Sequence, residues 1–401
     1  MMRMSFPAGR HLFIFDPRIQ GHHLPWLTYV CEDFLQAGFR LTLAVDLRPG
    51  SREMVYDHLG PLATEVNLVS VFGNNGRYLH GSKMAALVSC VRSSGADHIF
   101  LPNLDEIAPS CLRKAALGFF PPPELRGRMS GIYFRPRFLA SSMWPPGNLL
   151  KGIGFERLSR SGWFEHVYFL DESLLDVARQ RFPLTKSFFL PDTWSGNYHR
   201  DTTSARLRLG VPTDRVVVLH YGLGSRRKGL HLLVRALTES GMEKSGLYLL
   251  CVGQLAGDSE IAQGLAELER RGMARVINRH VGQVEEEESF AACDVVSLAY
   301  VDHFGSSGVL SRAAAAGKPV IASDQELLGR RVRQYGLGLL FASQNVSSLK
   351  SALLDMAGLS PEQRGQYQKA GQRYAATCDR ASYRRALLAP FLGDNEIEFV
   401  I

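Results

Sequence analysis

Six short strand-like runs, most of them apolar, recur through the second half of the chain: Val216–Tyr221, Leu247–Val252, Val276–Val281, Val295–Ala299, Pro319–Ala322 and Gly338–Phe341. Helical patterns separate them, and this alternation constrains the fold more than any other feature. Unbroken apolar runs are what strands buried on both faces look like, and strands joined through helices lie parallel. Leu230, Leu233, Val234 and Leu237 make one helical face, and Val309 to Ala316 another. The expectation is a doubly wound sheet.

A second sheet is announced at the start of the chain. His11–Phe15 reads as a strand and Arg18–His23 as a loop. From Leu24, residues Leu27, Val30, Cys31, Phe34 and Leu35 share a helical face, with Pro25 in the first turn and Gly38 as the stop. Phe39, Leu41, Leu43 and Val45 then alternate as a strand, completing a β-α-β unit. The fold class expected is α/β with two Rossmann-like doubly wound domains. The length of 401 residues suits two to three domains. Phe188–Asp192 ends a strand and Thr193–Ser204 is polar and turn-rich, so the hinge is placed there. The division is 1–192, 193–375, and a helical tail at 376–401 that crosses back to the first domain. Ligands bind beyond the carboxyl ends of parallel strands, so two such domains are expected to face a common cleft.

Several classes are excluded. Hydrophobic residues form 45% of the chain and charged residues 21%, a balance with enough apolar material for a core. No window approaches the roughly 18 consecutive apolar residues of a membrane span, and the run before Asp16 is too short for a signal peptide. Cys31, Cys90, Cys111, Cys251, Cys293 and Cys378 are scattered without CxxC or zinc-type spacing, which points away from disulfides and toward a reducing, cytoplasmic compartment. The net charge of +7 suits nucleic acid, an anionic membrane or a phosphorylated substrate, but no nucleic-acid module is present.

Two loops carry the chemistry. Gly222-Leu-Gly224-Ser-Arg226-Arg227-Lys228-Gly229 runs from a buried strand into an amphipathic helix. Its glycines permit close backbone approach, and its cations and helix start complement phosphate. A solvated basic turn is the bland reading. The second loop, His303-Phe-Gly-Ser306-Ser307-Gly308-Val309, opens a helix of small residues, where hydroxyls and free amides would meet an anion. Here the bland reading is that Ser306 is an N-cap.

From Gly222 to about Phe341 the chain resembles the donor domain of GT-B-fold glycosyltransferases, particularly glycosyltransferase family 4 (group 1). The landmarks are Arg226-Arg-Lys-Gly229, Leu249-Leu-Cys-Val-Gly253, Glu285–Glu288, Ala292-Cys-Asp-Val-Val296, and Gly317-Lys-Pro-Val320 followed by Asp324. The resemblance implies transfer of a sugar from a nucleotide diphosphate-sugar to a hydroxyl acceptor, with retained configuration and neither metal nor cofactor. It assigns the diphosphate to Lys228, with Arg226 or Arg227 standing in for an arginine that the family carries further upstream. The family also has two glutamates, separated by seven residues, ahead of the Gly-Lys-Pro turn. Counting back from Gly317 places Arg312 and Phe304 there, so the contacts to ribose and sugar lack their carboxylates. A fold that has lost turnover and serves as a binding or scaffold protein is the alternative.

Acceptor-side candidates are Gly21, His22 and His23 in the first β-α loop, and Asp105 after a fourth strand. For one histidine an ordinary polar loop position is the bland account, and for Asp105 an N-cap. The stretch Arg126 to Phe164 interleaves Arg126, Arg128, Arg135, Arg137, Lys151, Arg157 and Arg160 with Tyr133, Phe134, Phe138, Trp144, Phe155, Trp163 and Phe164. One reading is a peripheral contact with an anionic membrane or a lipid-linked acceptor, entered by Trp144 or Phe155. The other is a strand at Ile132–Phe134 followed by a long loop.

Overall fold

The computed structural model describes residues 10–19, 23–73, 75–140 and 146–392. Gly21, His22 and Trp144 lie outside the described residues. The chain divides into two units, Met1–Leu190 with Arg384–Ile401, and Pro191–Tyr383.

The first unit contains β1 (His11–Phe15), β2 (Arg40–Val45), β3 (Val66–Ser70), β4 (His98–Leu101), β5 (Met129–Tyr133), β6 (Phe164–Phe169) and β7 (Lys186–Phe189). Its helices are α1 (His23–Gln36), α2 (Ser51–Leu59), α3 (Lys83–Ser94), α4 (Ala108–Ala116), α5 (Gly147–Arg160) and α6 (Glu172–Arg181). The strands pair in parallel in the order β3-β2-β1-β4-β5-β6-β7. Every residue of β1 is buried, as expected for a strand covered on both faces.

The second unit begins with α7 (Thr202–Leu209) and holds β8 (Val216–Tyr221), β9 (Leu247–Val252), β10 (Ala274–Ile277), β11 (Val295–Leu298), β12 (Val320–Ser323) and β13 (Gly338–Phe341). Helices α8 (Leu230–Thr238), α9 (Ser259–Arg270), α10 (Gln283–Ala292), α11 (Gly308–Ala315), α12 (Glu326–Tyr335), α13 (Val346–Ala357) and α14 (Pro361–Ala376) connect and cover them. The sheet is parallel throughout, in the order β10-β9-β8-β11-β12-β13. Val217 and Leu219 point into one core layer with Phe290 and Leu310. Val218 points into the other, with Leu233 and Leu265.

A last helix, α15 (Arg380–Leu388), carries the chain back, and from Arg384 onward it belongs to the first unit. Phe391 packs its ring edge-on against Phe34 at 5.0 Å and His166 at 4.9 Å. The buried hydroxyl of Tyr168 donates to the Leu387 carbonyl at 2.6 Å. A buried tyrosine needs such an acceptor, so this segment completes the first core.

Three local expectations change. The strand read at Val276–Val281 is Ala274–Ile277, because the Asn278 side chain turns to accept the Leu255 amide. Thr202–Ser204 opens α7, capped by Asp201, and is not part of a loop. The long loop read after Ile132–Phe134 contains α5. Most aromatic residues of that stretch are core: Tyr133, Phe138, Phe155, Trp163 and Phe164 are all buried. Phe155, at 0% exposure, cannot enter a membrane.

Candidate functional site

Each sheet reverses its winding once. In the second unit β8 lies beside β11, with β9 and β12 on their outer sides. Loops leaving two such strands diverge and open a crevice at their carboxyl ends. Those loops are 222–229 and 299–307; the first is the glycine-basic loop read from the sequence, and the second holds most of the His303–Val309 stretch.

Gly229 brings them together. It caps α8 in the left-handed region, at φ 72°, and a Cβ there would sit 1.6 Å from the Ala299 carbonyl oxygen. Only glycine allows that approach. Its neighbour Lys228 is thereby pressed onto Tyr300: the ammonium donates to the Tyr300 hydroxyl at 2.6 Å and lies 3.9 Å from the ring centroid. Tyr300 is 2% exposed, and its hydroxyl also meets Ser307 Oγ at 3.1 Å. Ser307, rather than Ser306, holds the N-cap position of α11, yet its hydroxyl caps nothing. Spent on Tyr300, it leaves the amides at Gly308 and Val309 without a side-chain cap. A cation and a helix N-terminus therefore share one hydroxyl relay, and both favour an anion.

The two arginines part company. Arg226 donates Nε to Asp258 at 2.6 Å and its outer nitrogen to Glu260. Asp258 is the N-cap of α9, so Arg226 is turned to that helix. Arg227 instead reaches His303 Nδ1 at 3.4 Å, and His303 Nε2 donates to the Ser306 carbonyl at 3.0 Å. Arg227 thus leans toward the same loop as Lys228.

Sequence reasoning missed three groups here. Tyr300 follows directly on the Val295–Ala299 run, and nothing in its local sequence marks it as a partner of Lys228. Asp192, 8% exposed, takes a hydrogen bond from Ser306 and lies against Gly308, where a Cβ would stand 3.3 Å from Oδ1. Burial pushes its carboxyl above the usual range, against the pull of Ser306 and of Arg312, Arg331 and Lys228. Glu286 of α10 pairs with Arg312 Nε at 2.9 Å and accepts from the hydroxyls of Tyr198 and Tyr221. Arg312 was noted as a missing glutamate, but its partner was not foreseen. Phe304, at the other such position, is buried core.

The first unit has its own reversal, between β1 and β4. His23 opens α1 with Nδ1 held by both oxygens of Asp16, at 3.0 and 3.2 Å, and both residues are buried. Across the crevice Glu106 pairs with Arg18 at 2.9 Å and Lys83 at 2.8 Å. Asp105 has a different task. Its oxygens accept the amides of Phe134 at 2.7 Å and Arg135 at 3.1 Å, fixing the exit of β5.

Residues 201–374 match the model of a family described as glycosyl transferases group 1. Over that span the second unit resembles the group 1 glycosyltransferases. A D-inositol 3-phosphate glycosyltransferase of a Nocardioides species is 30% identical over 167 residues, covering 38% of this chain and 36% of that protein. The chain thus spans only about a third of that relative's length. Among solved structures, sucrose-phosphate synthase of Thermosynechococcus elongatus superposes with a TM-score of 0.66 at 15% identity, covering 92% of this chain and 95% of the other. HepE of Anabaena, solved with UDP and glucose, gives 0.66 at 15% identity over 96% and 99%. The fold of the whole chain is GT-B, and the second unit carries the Lys228–Tyr300–Ser307 relay at its switch point.

Proposed function

We propose that this glycosyltransferase moves a sugar from a nucleotide diphosphate-sugar to a hydroxyl of a glycan or lipid-linked acceptor. One observation carries the reading: Lys228 and the open start of α11 converge at the β8–β11 crevice, linked through Tyr300 and Ser307. Such a pair neutralises the charge that grows on a leaving diphosphate. The amides of Gly308 and Val309 receive phosphate oxygens, Ser306 and Ser307 line their approach, and Arg227 adds a second cation. Gly222, at φ 100°, turns the loop, and Gly224 packs where a Cβ would strike Leu255 at 2.5 Å. Arg226 serves α9 and stays outside this set.

In the reaction the bond from the anomeric carbon to the phosphate oxygen breaks, its electron pair staying on that oxygen. The acceptor oxygen bonds to the carbon, and its proton passes to the departing phosphate, so configuration is retained. His23, oriented by Asp16, is the acceptor-side group. The cations perform the neutralisation that a divalent ion would otherwise supply, so activity is expected to survive EDTA. Loss of activity restored by manganese would overturn that part.

A second reading has one observation in its favour. Arg312 and Glu286 neutralise each other where the family places a lone carboxylate, as in a fold that binds without turnover. Incubation with a panel of nucleotide-sugars, beginning with UDP-sugars, separates the two. Release of free nucleoside diphosphate supports transfer. Stabilisation by nucleotide without any release supports the binding protein.

A further inference from the structure

Although Phe155 is buried, the surface beside it is not. α4 ends at Ala116, and the connection that follows exposes Leu117 by 69%, Phe119 by 68% and Phe120 by 47% before Pro121, Pro122 and Pro123. Three large apolar side chains in succession in water are unusual for a surface with no partner. The segment is anchored, because the amides of Leu117 and Phe119 donate to the Lys114 carbonyl at 2.9 and 3.0 Å, and that of Gly118 to Ala115 at 3.0 Å.

Cations collar this tip. Arg113 and Lys114 occupy the last turn of α4 and are exposed. Arg157 of α5 donates to the carbonyls of Ala115 and Ala116 at 3.3 and 3.0 Å, which sets its charge at the foot of the loop. The helices touch closely enough for this because Gly154 abuts Leu112, where a Cβ would fall 1.8 Å from the carbonyl oxygen. Arg126 donates to Ser161 at 2.8 Å, at the end of α5 beside Arg160. The carboxylates nearby are already paired, Glu156 with Arg160 and Glu124 with Arg92.

Aromatic tips ringed by basic side chains match a bilayer with anionic headgroups: the rings enter the boundary while the cations stay among the phosphates. We propose that residues 117–120, with Arg113, Lys114, Arg126 and Arg157, form a docking face for an anionic lipid bilayer. The charge complementarity selects lipid over a protein groove, which would have to oppose the cations with acidic residues. Binding is peripheral and reversible; no helix among the described residues is long and apolar enough to cross a membrane. The proposal does not depend on the transfer reaction.

Sedimentation of the full chain with vesicles tests it, using phosphatidylcholine alone and phosphatidylcholine mixed with phosphatidylglycerol. At low salt the protein is expected to pellet with the mixed vesicles only, and high salt should release it. Phe119→Ser with Phe120→Ser, and separately Arg113→Glu with Lys114→Glu, should each lower partitioning about tenfold or more. Leu207→Ser, which removes a residue 82% exposed on the second unit, should leave it unchanged. Thermal melting and UDP binding should match wild type in all variants, since none of these side chains packs in a core. Failure to pellet with mixed vesicles at low salt overturns the proposal, as does equal pelleting with phosphatidylcholine alone. Wild-type partitioning by the Phe119→Ser, Phe120→Ser protein would do the same.

Discussion

Replacing Lys228 with alanine separates the fold from the function of the relay. In the free protein its ammonium has two partners, the Tyr300 hydroxyl and the Tyr300 ring. Removing it strands no buried group, because Tyr300 keeps Ser307 at 3.1 Å. The cost to folding is then about 1 kcal/mol, the scale of one cation–π contact in a partly exposed setting. With a diphosphate bound, the same ammonium makes a charge-assisted hydrogen bond of about 1.5–3 kcal/mol. Affinity should therefore fall about tenfold to a hundredfold. A concentration of UDP at about 100 times the wild-type Kd stabilises the domain by about 2.7 kcal/mol, and at ten times Kd by about 1.4. The Lys228→Ala protein should thus keep about half of the wild-type stabilisation or less in melts with UDP, while its own melt moves little. Transfer should drop further, by about 100-fold, since charge on the leaving oxygen grows in the transition state. UDP affinity within threefold of wild type would refute the assignment. So would a variant that is unfolded without ligand, because that would make Lys228 a structural residue.

The two arginines should differ: Arg227→Ala is expected to weaken UDP binding several-fold, whereas Arg226→Ala should leave it unchanged, as equilibrium titration can show. Asp105→Asn turns an amide group toward a backbone N–H that the carboxylate had satisfied, so the first unit should lose about 1–3 kcal/mol in urea unfolding with UDP binding intact. Acid should destabilise both units through buried histidines. Burial holds His220 at about 3, with Lys228 adding to the effect, and His166 at about 4, below the ordinary 6.5. The unfolded chain takes up these protons first, so stability present above pH 6.5 is lost as pH falls toward those values. Between pH 7 and pH 5 each histidine should cost its unit about 2 kcal/mol. His220→Leu should flatten that slope for the second unit, and an unaltered slope would show that other groups set it.

Strands buried on both faces were legible because nothing but an apolar run satisfies them. Val216–Tyr221 and Leu247–Val252 stand where the pattern put them, and so does Gly338–Phe341, although it is an edge strand and only partly buried. β10 is an edge strand, with Arg275 exposed, and there the pattern misplaced the element by a few residues. α5 was hidden for a physical reason. Its glycines at 147, 152 and 154 argue for a loop by propensity, and Leu149 and Leu150 face outward. Gly154 is there so that α5 can reach the backbone of α4, a requirement that no local window contains. The contact between Lys228 and Tyr300 is of the same kind. It spans 72 positions and depends on Gly229 meeting Ala299, so the sequence could mark the lysine but not its seat.

Arg312 marks where this site departs from the family it resembles. A half-buried arginine in place of a carboxylate would be costly alone, since an unpaired charge there loses much of its hydration. Here Glu286, one helix away, restores neutrality, and although burial opposes the charge, Glu286 holds Arg312 above its ordinary pKa. Burial with Glu286 alongside likewise pushes the Tyr198 and Tyr221 hydroxyls well above theirs, so both remain neutral donors. Each member of the cluster has a partner: two tyrosines and Arg312 converge on one carboxylate, and Arg312 also donates to the Gly308 carbonyl at 3.0 Å. A ligand hydroxyl that sought Glu286 would have to displace a tyrosine already bonded there, which a lone glutamate would not require. The cluster is therefore a poor direct replacement for a ribose-binding carboxylate. Its bond to Gly308 gives it another use, since it fixes the first turn of α11, where phosphate would sit. On the proposed function, specificity for the nucleotide would then come from elsewhere in the second unit, and Lys228 with the start of α11 would still be placed to grip its diphosphate.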